Sequence, residues 1–399
     1  MANTISIESR RGRIALMVAH CAGMVDLVAL PVWVGTLISR YRFDPQQAGA
    51  LVTLFLVAVA VASVFLAPRL PRLPGRAVVT VGFGLSALGF FFASTANDFT
   101  SLAVWHGLCG LATGAALSVT HGTIARSVRP HRLFAMVGIA LGVFAVVFLG
   151  ATPQLVAVAG GPALFVAFGA VMAMAALTAL LAFPAPATQP APAPELTPGV
   201  HAVTHANAQT PLAAAVWFGM AGIACMTVVQ AMTFSFLERV GSDRGFGAQA
   251  VTGVLIALGL VNLLPAAAAA LLEKRLPART VLLAGPVLQA VLAAVIMNSA
   301  AFAPYAAAAS VFAAVMIFTH TFAFGLLARL EPSGRALAAT PAMVMAGSAV
   351  GPLLGGTLVK SFGYGSLGIA AGAIAVIAVG CFSRLPSSAD DPSTLEARA

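Results

Sequence analysis

The sequence contains twelve apolar stretches, each long enough to cross a lipid bilayer as a helix. A helix needs about 20 residues, each rising about 1.5 Å, to span the roughly 30 Å hydrocarbon core. The stretches are residues 14–38, 47–67, 77–96, 99–124, 133–157 and 162–183, followed by 212–237, 247–271, 279–299, 302–328, 335–359 and 364–384. Only 8% of the 399 residues are charged, against about 25% in soluble domains. These patterns predict an all-α integral membrane protein with twelve transmembrane helices.

Three loops indicate that the second half of the chain repeats the first. Residues 43–46 recur as 246–249, 72–76 as 275–279 and 125–132 as 328–335, each at an offset of 203 positions (246 − 43). Between the halves lies 184–211, whose seven prolines and small polar residues cannot form a packed core. We therefore predict two six-helix bundles in parallel repeat, 1–183 and 212–399, joined by an extended linker. Two such bundles can rock about a central site.

The basic residues lie mainly in the loops on one side of the predicted bundles. With both termini in the cytoplasm, sixteen of the 21 Lys and Arg residues are cytoplasmic and five are not, as the positive-inside rule requires. The first stretch follows Arg10, Arg11 and Arg13 as in a signal peptide, but it is too long, contains Asp26 and lacks a small-residue cleavage site. It is therefore predicted to be the first helix of a multi-pass protein of a bacterial-type inner membrane.

Several other functional classes are not expected. The net charge is +9, but the basic residues separate apolar stretches, so nucleic acid is not an expected partner. Neither Lys274 nor Lys360 lies in a GxxxxGK[ST] phosphate-binding motif, so the chain has no ATPase site. No nucleophile–base or metal constellation is visible, so we expect neither an enzyme nor a cofactor. The four cysteines are scattered without CxxC spacing and indicate packing rather than disulfides.

A copper transporter is one alternative. His20 and Met24 share a helix face, Cys21 adjoins them, and Cys225, Met226 and Met232 lie in the seventh stretch. Soft ligands of this type suit Cu(I). The 13 methionines are nevertheless ordinary for a membrane protein, and thioethers fill apolar cores well.

Three motifs carry a family resemblance. The loop after the second stretch contains Arg69, Arg72 and Gly75-Arg76, and the fourth stretch contains His106-Gly-Leu-Cys-Gly110-Leu-Ala-Thr-Gly114. The eleventh stretch contains Gly347-Ser-Ala-Val-Gly351-Pro352-Leu-Leu-Gly355-Gly356. Together with the twelve spans, the linker and the repeat, these motifs resemble the major facilitator superfamily of secondary transporters over essentially the whole chain.

The match to each family motif differs in detail. The loop keeps the end of the GxxxDRxGRR signature, with Arg72 at the acidic position. The fourth stretch resembles RxxxGxxxG, with His106 at the arginine position. The eleventh stretch matches the antiporter signature GxxxGPxxGG completely, although in the family this signature marks helix 5. The resemblance implies alternating access driven by a proton gradient, and together with Asp26 it favours export.

Asp26 is the only acidic residue in the middle of a predicted span. It lies roughly 18 Å from position 14 along a helix, where an ionised carboxylate costs several kcal/mol unless it faces a wet cavity. In the family, helix 1 lines the central cavity and a carboxylate there often couples protons to transport. His106 is predicted at a similar depth on the fourth helix, where it could exchange a proton with Asp26. The alternatives are a structural acid and a neutral, packed imidazole.

Five further residues are candidate substrate contacts. Trp33 shares a face with Asp26, and Trp105 neighbours His106, so either indole could stack on a flat or cationic solute. Gln230 and Asn262 are polar amides within spans, and His320 lies in the tenth span. The alternatives are an aromatic belt for the tryptophans and interhelical hydrogen bonds for the polar residues.

Two further groups are predicted to control conformation. The resemblance implies that basic residues at the cytoplasmic helix ends latch one conformational state, and topology determinants alone are the alternative; they are Arg72, Arg76, Arg126, Arg275, Arg279 and Arg329. A face of the eleventh helix without large side chains permits close helix packing and a bend; its residues are Gly347, Gly351, Pro352, Gly355 and Gly356.

The sequence therefore predicts a monomeric, proton-coupled secondary transporter of a small organic solute. A phosphate-like anion would need a cation in the core, so a neutral, amphiphilic or cationic metabolite, drug or siderophore-like compound is favoured. Export is the first expectation and proton-coupled import the second. A sensor of the same fold that moves no solute is a further alternative.

Overall fold

The computed structural model describes residues 5–66, 69, 73–184, 213–273, 275–331 and 340–386, which are helical apart from short connections. The N-terminal half contains α1 (Arg10–Gly23), α2 (Val25–Ser39), α3 (Pro45–Leu66), α4 (Gly75–Ala93), α5 (Phe99–Ala125), α6 (Pro130–Ala159) and α7 (Pro162–Ala182). The C-terminal half contains α8 (Ala214–Asp243), α9 (Ala248–Val261), α10 (Pro265–Leu272), α11 (Ala278–Asn298), α12 (Phe302–Leu330), α13 (Thr340–Phe362) and α14 (Gly365–Ser383).

Within these described ranges the helices provide twelve apolar spans, which confirms the predicted fold class. The first span, Arg10–Ser39, is formed by α1 and α2 together, and α9 continues as α10 in the eighth. α7 ends and α8 begins on either side of the predicted linker, 184–211, which apart from Pro184 lies outside the described residues.

The sequence repeat is also a structural repeat. α3 and α9 begin at Pro45 and Ala248, and α5 and α12 begin at Phe99 and Phe302, so each pair of helices is offset by 203 positions (248 − 45 and 302 − 99). The two halves therefore fold as the same unit. The repeat is broken twice, because α1 and α2 are interrupted at Met24 and α9 and α10 at 262–264, whereas α8 and α3 continue through the equivalent positions.

The exterior is apolar and the core of the N-terminal half is aromatic. Side chains such as Phe65 and Leu181 are 61% and 67% exposed, as expected for a surface that faces lipid rather than water. Inside, Phe90, Phe165 and Phe168 pack around one another with ring centroids 5.1–6.4 Å apart. Burial of these rings fixes how α4 and α7 sit against the first span.

The two halves meet at one end of the molecule. We name the end that carries the linker the linker end, and the opposite end, near residues 40–45, 243–248 and 363, the far end. The helices in contact between halves are α3 with α13, α2 with α8, and α6 with α9. Among the described residues, every hydrogen bond between the halves involves Thr53 or Lys360, at or beyond the middle of the spans toward the far end. The far end is therefore closed.

Candidate functional site

Asp26 lies in the first turn of α2, directly after the interruption in the first span. Met24, between α1 and α2, has φ −109° and ψ 10°. The Asp26 side chain is completely buried; its Oδ1 accepts the Leu27 N–H at 2.8 Å, and its Oδ2 has no hydrogen-bond partner. The N-terminal end of a helix stabilises negative charge, whereas removal from water opposes it. This carboxyl can therefore exist in either protonation state, with one oxygen free to take a proton.

His106 hydrogen bonds to Trp33 rather than to Asp26. Trp33 Nε1 donates to His106 Nε2 at 3.2 Å, and His106 Nδ1 donates to the Leu102 carbonyl at 2.6 Å. An indole N–H can only donate and a carbonyl can only accept, so the imidazole is the neutral tautomer that carries its proton on Nδ1. Both ring nitrogens are in use, which leaves none for Asp26 in this conformation.

Asp26 and His106 also lie at different levels of the N-terminal half. Gly23 packs against Leu117, and Trp33 packs against His106, so α1 and α2 run antiparallel to α5 in a fixed register. In that register Asp26 lies opposite residues 113–114 of α5, about 10 Å along the helix from His106. The expectation of a shared depth and a direct pair is therefore wrong. Asp26 lies 13 residues (39 − 26), about 20 Å, from the end of the first span, whereas His106 lies seven residues (106 − 99), about 10 Å, from the start of α5 at the same end of the molecule.

Trp33 belongs to the aromatic core and not to an exposed cavity wall. Its side chain is 0% exposed, and its ring lies 5.3 Å from that of Phe55 and 4.8 Å from that of Phe168. The predicted substrate contact is therefore not available in this conformation. The reason is that Trp33 lies two helical turns beyond Asp26 on the same face of α2, and at that level this face packs against α3 and α7.

Trp33→Phe should lower the stability of the N-terminal half, because it leaves His106 Nε2 buried without a donor. Such an orphaned group costs about 1–3 kcal/mol. We expect a clear fall in the melting temperature of the purified protein in detergent. Trp105→Phe is the control, since Trp105 is only partly buried. A Trp33→Phe protein with unchanged melting but lost transport would contradict a core role.

Trp105 points to the molecular surface at the far end. Its ring stacks on Phe92 with centroids 5.2 Å apart. With Thr95 and Asp98 it lines a surface cavity of about 600 Å³ at the ends of α4 and α5. The prediction that Trp105 contacts substrate beside His106 does not fit this position: successive residues on a helix point about 100° apart, so His106 faces inward and Trp105 outward.

The polar side chains of the C-terminal half form a second group. Gln289 is completely buried; its Nε2 donates to the Met226 carbonyl at 3.2 Å and to Gln230 Oε1 at 3.1 Å, and its Oε1 has no partner. Asn262 ends α9 at the interruption of the eighth span, with Oδ1 buried and unpartnered. His320 Nδ1 donates to the Met316 carbonyl at 2.9 Å. Sequence reasoning missed the Gln230–Gln289 pair because nothing in the sequence brings α8 and α11 into register.

Asp26 and Gln230 lie at matching levels of the two halves. The repeat equivalent of Asp26 is position 229 (26 + 203), directly before Gln230. α2 and α8 touch where the Glu238 carboxyl lies against Gly35, and these two positions are themselves repeat equivalents (35 + 203). Asp26 is nine residues and Gln230 eight residues from that contact, roughly 12–14 Å along each helix toward the linker end. This level of the two halves, which contains Asp26 in one half and Gln230 in the other, is the candidate site.

The predicted latch arginines bind within their own half. Arg76 donates to the Phe183 carbonyl through Nε at 3.2 Å and Nη2 at 3.0 Å, and its repeat equivalent Arg279 donates to the Ser383 carbonyl at 3.2 Å. Each therefore caps the end of the last helix of its half. Arg126 binds the Gly122 carbonyl of its own helix at 3.0 Å. Arg275 and Arg329 are exposed, and Arg72 lies outside the described residues.

The glycine face of α13 supports two different contacts. Gly347, Gly351 and Gly355 lie against α8 within the C-terminal half, where a Cβ on Gly351 would be 2.6 Å from Ala231 Cβ. Pro352 and Gly356 instead face α3 of the other half; the Pro352 carbonyl lies against Gly49, and Gly356 lies against the Pro45 carbonyl. α13 thus holds its own half together and closes the far end.

Thr53 is a contact that sequence reasoning missed. Its Oγ1 donates to the Ala349 carbonyl at 2.7 Å and accepts the Leu353 N–H at 3.1 Å. Residues 349 and 353 would normally bond to each other as i and i+4 in α13. The hydroxyl of one half is therefore inserted into the backbone ladder of the other, beside Pro352. A threonine in an apolar span gives no sequence signal for such a contact.

Thr53→Val should weaken closure of the far end, because it removes both hydrogen bonds while keeping the shape of the side chain. Hydrogen bonds in membrane proteins average about 0.6 kcal/mol, so we expect the closed-to-open ratio to fall about threefold or more. Spin-label distances across the far end measure this ratio. Ile256→Val is the matched control, since Ile256 is the repeat equivalent (53 + 203) and packs against Gly150 without a hydrogen bond. Equal effects of the two variants would contradict the assignment.

One residue of the copper alternative, His20, lies against a second histidine. His20 Nδ1 lies 3.0 Å from His121 Nε2, which joins α1 to α5. Among the residues that the structure describes, no three His, Cys, Asp or Glu side chains are grouped to hold a metal ion.

The comparisons with known proteins agree on one family. The family model of the Major Facilitator Superfamily matches residues 15–333. A bacterial homologue of the human lysosomal transporter Spinster, in an inward-facing and occupied conformation, is 13% identical with a TM-score of 0.67 and covers 93% of each chain. The nucleoside transporter NupG is 14% identical with a TM-score of 0.66, covering 94% of this chain and 98% of its own. No curated protein sequence matches. The chain belongs to the Major Facilitator Superfamily and is a multi-pass membrane transporter, not an enzyme.

Proposed function

We propose that the protein is a proton-coupled secondary transporter that exports a small organic solute across a bacterial inner membrane. The single observation that carries this proposal is Asp26: among the described acidic residues it alone is completely buried, and its Oδ2 has no partner. A carboxyl in this position can bind a proton in one conformation and release it in another as its exposure to water changes. No cofactor is needed, because the proton gradient supplies the energy.

The closed far end supports the assignment of a facing state to this conformation. The basic loops favour a cytoplasmic linker end. With that orientation, closure between α3 and α13 at the far end corresponds to an inward-facing state. Release of the far-end contacts would then open the site at the level of Asp26 and Gln230 to the opposite side, which is alternating access.

The charge of the candidate site supports the substrate class. Among the described residues, the side chains that are completely buried include Asp26 but no Arg or Lys. A strongly anionic solute would lack a fixed counter-charge, whereas a cationic, neutral or amphiphilic compound can meet Asp26 and the Gln230 amide. We therefore propose a metabolite, drug or siderophore-like compound of that kind, carried by a monomer.

Export rests on the family resemblance and on Asp26; the antiporter signature lies in α13. In this chain the signature residues pack α13 against α8 and α3, so the motif supports a conformational role more directly than a direction of transport. Proton-coupled import uses the same carboxyl and differs only in which face releases the solute.

Everted membrane vesicles test the proposal. Respiration acidifies the lumen, and a fluorescent weak base reports the gradient; amphiphilic cations and neutral metabolites are then added in turn. A proton-coupled exporter should dissipate the gradient with its cargo, and the Asp26→Asn variant should not. Uptake of a cargo without proton movement, or equal responses from the two proteins, would overturn proton coupling at Asp26.

A further inference from the structure

A second carboxyl lies at the closed contact between the two halves. Glu238 is partly buried near the far end of α8, and its Oε2 occupies the space where a side chain on Gly35 would be. Its Oε1 accepts a hydrogen bond from Ser242 Oγ at 2.7 Å. Because positions 35 and 238 are repeat equivalents, this carboxyl sits where α2 and α8 cross on the pseudo-twofold axis. It belongs to the moving interface and not to the level of Asp26.

The charged groups around Glu238 are bound elsewhere. On its own helix, Arg239 forms an ion pair with Asp243 at 2.5 Å, and Asp243 also accepts from Tyr364 at 2.6 Å. Arg244, after α8, donates to the carbonyls of Ile296, Met297 and Ser299. Among the described residues, Glu238 therefore has a hydroxyl and a glycine as neighbours but no ion pair.

The other elements packed near this contact add no cation to Glu238. α12 contributes Tyr305, which donates to the Leu237 carbonyl at 2.9 Å. α13 contributes Lys360, which is bound to Asp44 at 2.9 Å and to Gln46 at 3.2 Å. α2 contributes Gly35 itself and, beyond its end, the exposed Arg40. Among the described residues, no cation forms an ion pair with the carboxyl where it meets α2.

We propose that Glu238 is a second proton-binding site, which controls closure of the far end. In the closed state α2 covers the carboxyl and removes water from it, and a carboxylate without a cation is costly there. When α2 and α8 separate, water reaches the carboxyl and the ionised form becomes favourable. Linkage then requires that a proton taken up from the far side stabilises the closed state.

This inference goes beyond the proposed function because it concerns closure of the far end, which can be measured without any transported solute. The pH dependence that Glu238 gives to closure can be separated from any contribution of the nearby Asp44–Lys360 ion pair. Burial alone would raise the pKa of Asp44, but hydrogen bonds from Gln47 and Lys360 outweigh it, so that pKa is below its usual range. A lowered pKa means that this pair is intact at neutral pH and is lost only as the pH falls through that low value. Between about pH 5 and pH 8 it adds no pH dependence.

Distances between spin labels at Asn97→Cys and Ala300→Cys, both exposed at the far end of different halves, test the proposal in a cysteine-free background. The full-length protein in nanodiscs is measured between about pH 5 and pH 8 without any solute. The closed-to-open ratio should rise as the pH falls, by up to about tenfold per pH unit for one linked proton. Glu238→Gln should stay closed across the range, whereas Asp26→Asn should keep the response.

Further variants keep the test decisive. Glu238→Asp retains a titratable group and should retain a pH response even if Glu238→Gln is too unstable to measure. Gly35→Ala should displace the carboxyl and favour the open state at every pH. The proposal is overturned if the closed-to-open ratio of the wild-type protein does not change with pH. It is also overturned if the pH response persists in Glu238→Gln. If the pH response is lost in Asp26→Asn but kept in Glu238→Gln, the proposal is again wrong, and the proton that controls closure binds at Asp26.

Discussion

Asp26→Asn is expected to abolish concentrative transport while leaving the fold intact. The amide has the size of the carboxyl, and its oxygen can keep the bond from the Leu27 N–H, but it cannot bind or release a proton. Uptake of the cargo against its gradient into everted vesicles should fall by at least an order of magnitude. Exchange of labelled for unlabelled cargo at equal concentrations should continue, because that exchange needs no net proton movement.

The matched control for this prediction is Asp98→Asn. Asp98 is exposed at the far end and caps α5 by accepting the Ser101 N–H at 2.9 Å. Its replacement removes the same charge and should leave proton-coupled transport unchanged. Asparagine is itself a good N-cap residue, so the helix should also be unaffected. If the Asp26→Asn variant concentrates the cargo as well as the Asp98→Asn variant does, Asp26 is a structural acid. Loss of exchange as well as uptake would mean that the carboxyl is needed for cargo binding.

Gly49→Ala is expected to hold the far end open. A Cβ on Gly49 would overlap the Pro352 carbonyl of the other half, and a backbone atom cannot move aside as a flexible side chain can. Overpacking of this kind costs about 1–3 kcal/mol, which would lower the closed-to-open ratio by about tenfold. Spin labels at Asn97→Cys and Ala300→Cys should show a larger population of long distances, and transport should slow with it.

Two other glycines separate this effect from simple misfolding. Gly84→Ala introduces the same methyl group into α4, where nothing lies within 4 Å, and should change neither distance nor stability. Gly351→Ala should lower the melting temperature without favouring the open state, because it presses against Ala231 and Met232 within one half. If the Gly49→Ala and Gly84→Ala proteins have the same distance distribution, the closed interface between α3 and α13 is contradicted.

The architecture was predictable because it depends on properties that a single sequence carries. Span length follows from bilayer thickness, and the 203-residue offset found between the loops recurs between the helix starts at Pro45 and Ala248 and at Phe99 and Phe302. The glycine face of α13 was also visible, since four small residues at helical spacing have no other common explanation. What the sequence did not distinguish is that Gly351 faces its own half and Gly356 the other half.

The candidate site was less predictable, because it depends on register between helices. Asp26 could be chosen from its depth alone, but its partnership could not: His106 lies about 10 Å further along α5 and binds Trp33. Thr53 and Glu238 carry no sequence signal, since one is an ordinary polar residue in a span and the other an acid near a helix end. Their roles appear only where two helices from different halves cross.

Metabolite profiling of cells and spent medium tests the central claim most directly. The strains are a deletion strain and the same strain complemented with the wild-type, the Asp26→Asn or the Asp98→Asn gene. A proton-coupled exporter predicts one compound that builds up inside the deletion and Asp26→Asn strains and disappears from their medium, while wild type and Asp98→Asn restore its release. A compound left unused in the medium of the deletion strain would mean import. Full restoration by Asp26→Asn would contradict proton coupling at that residue.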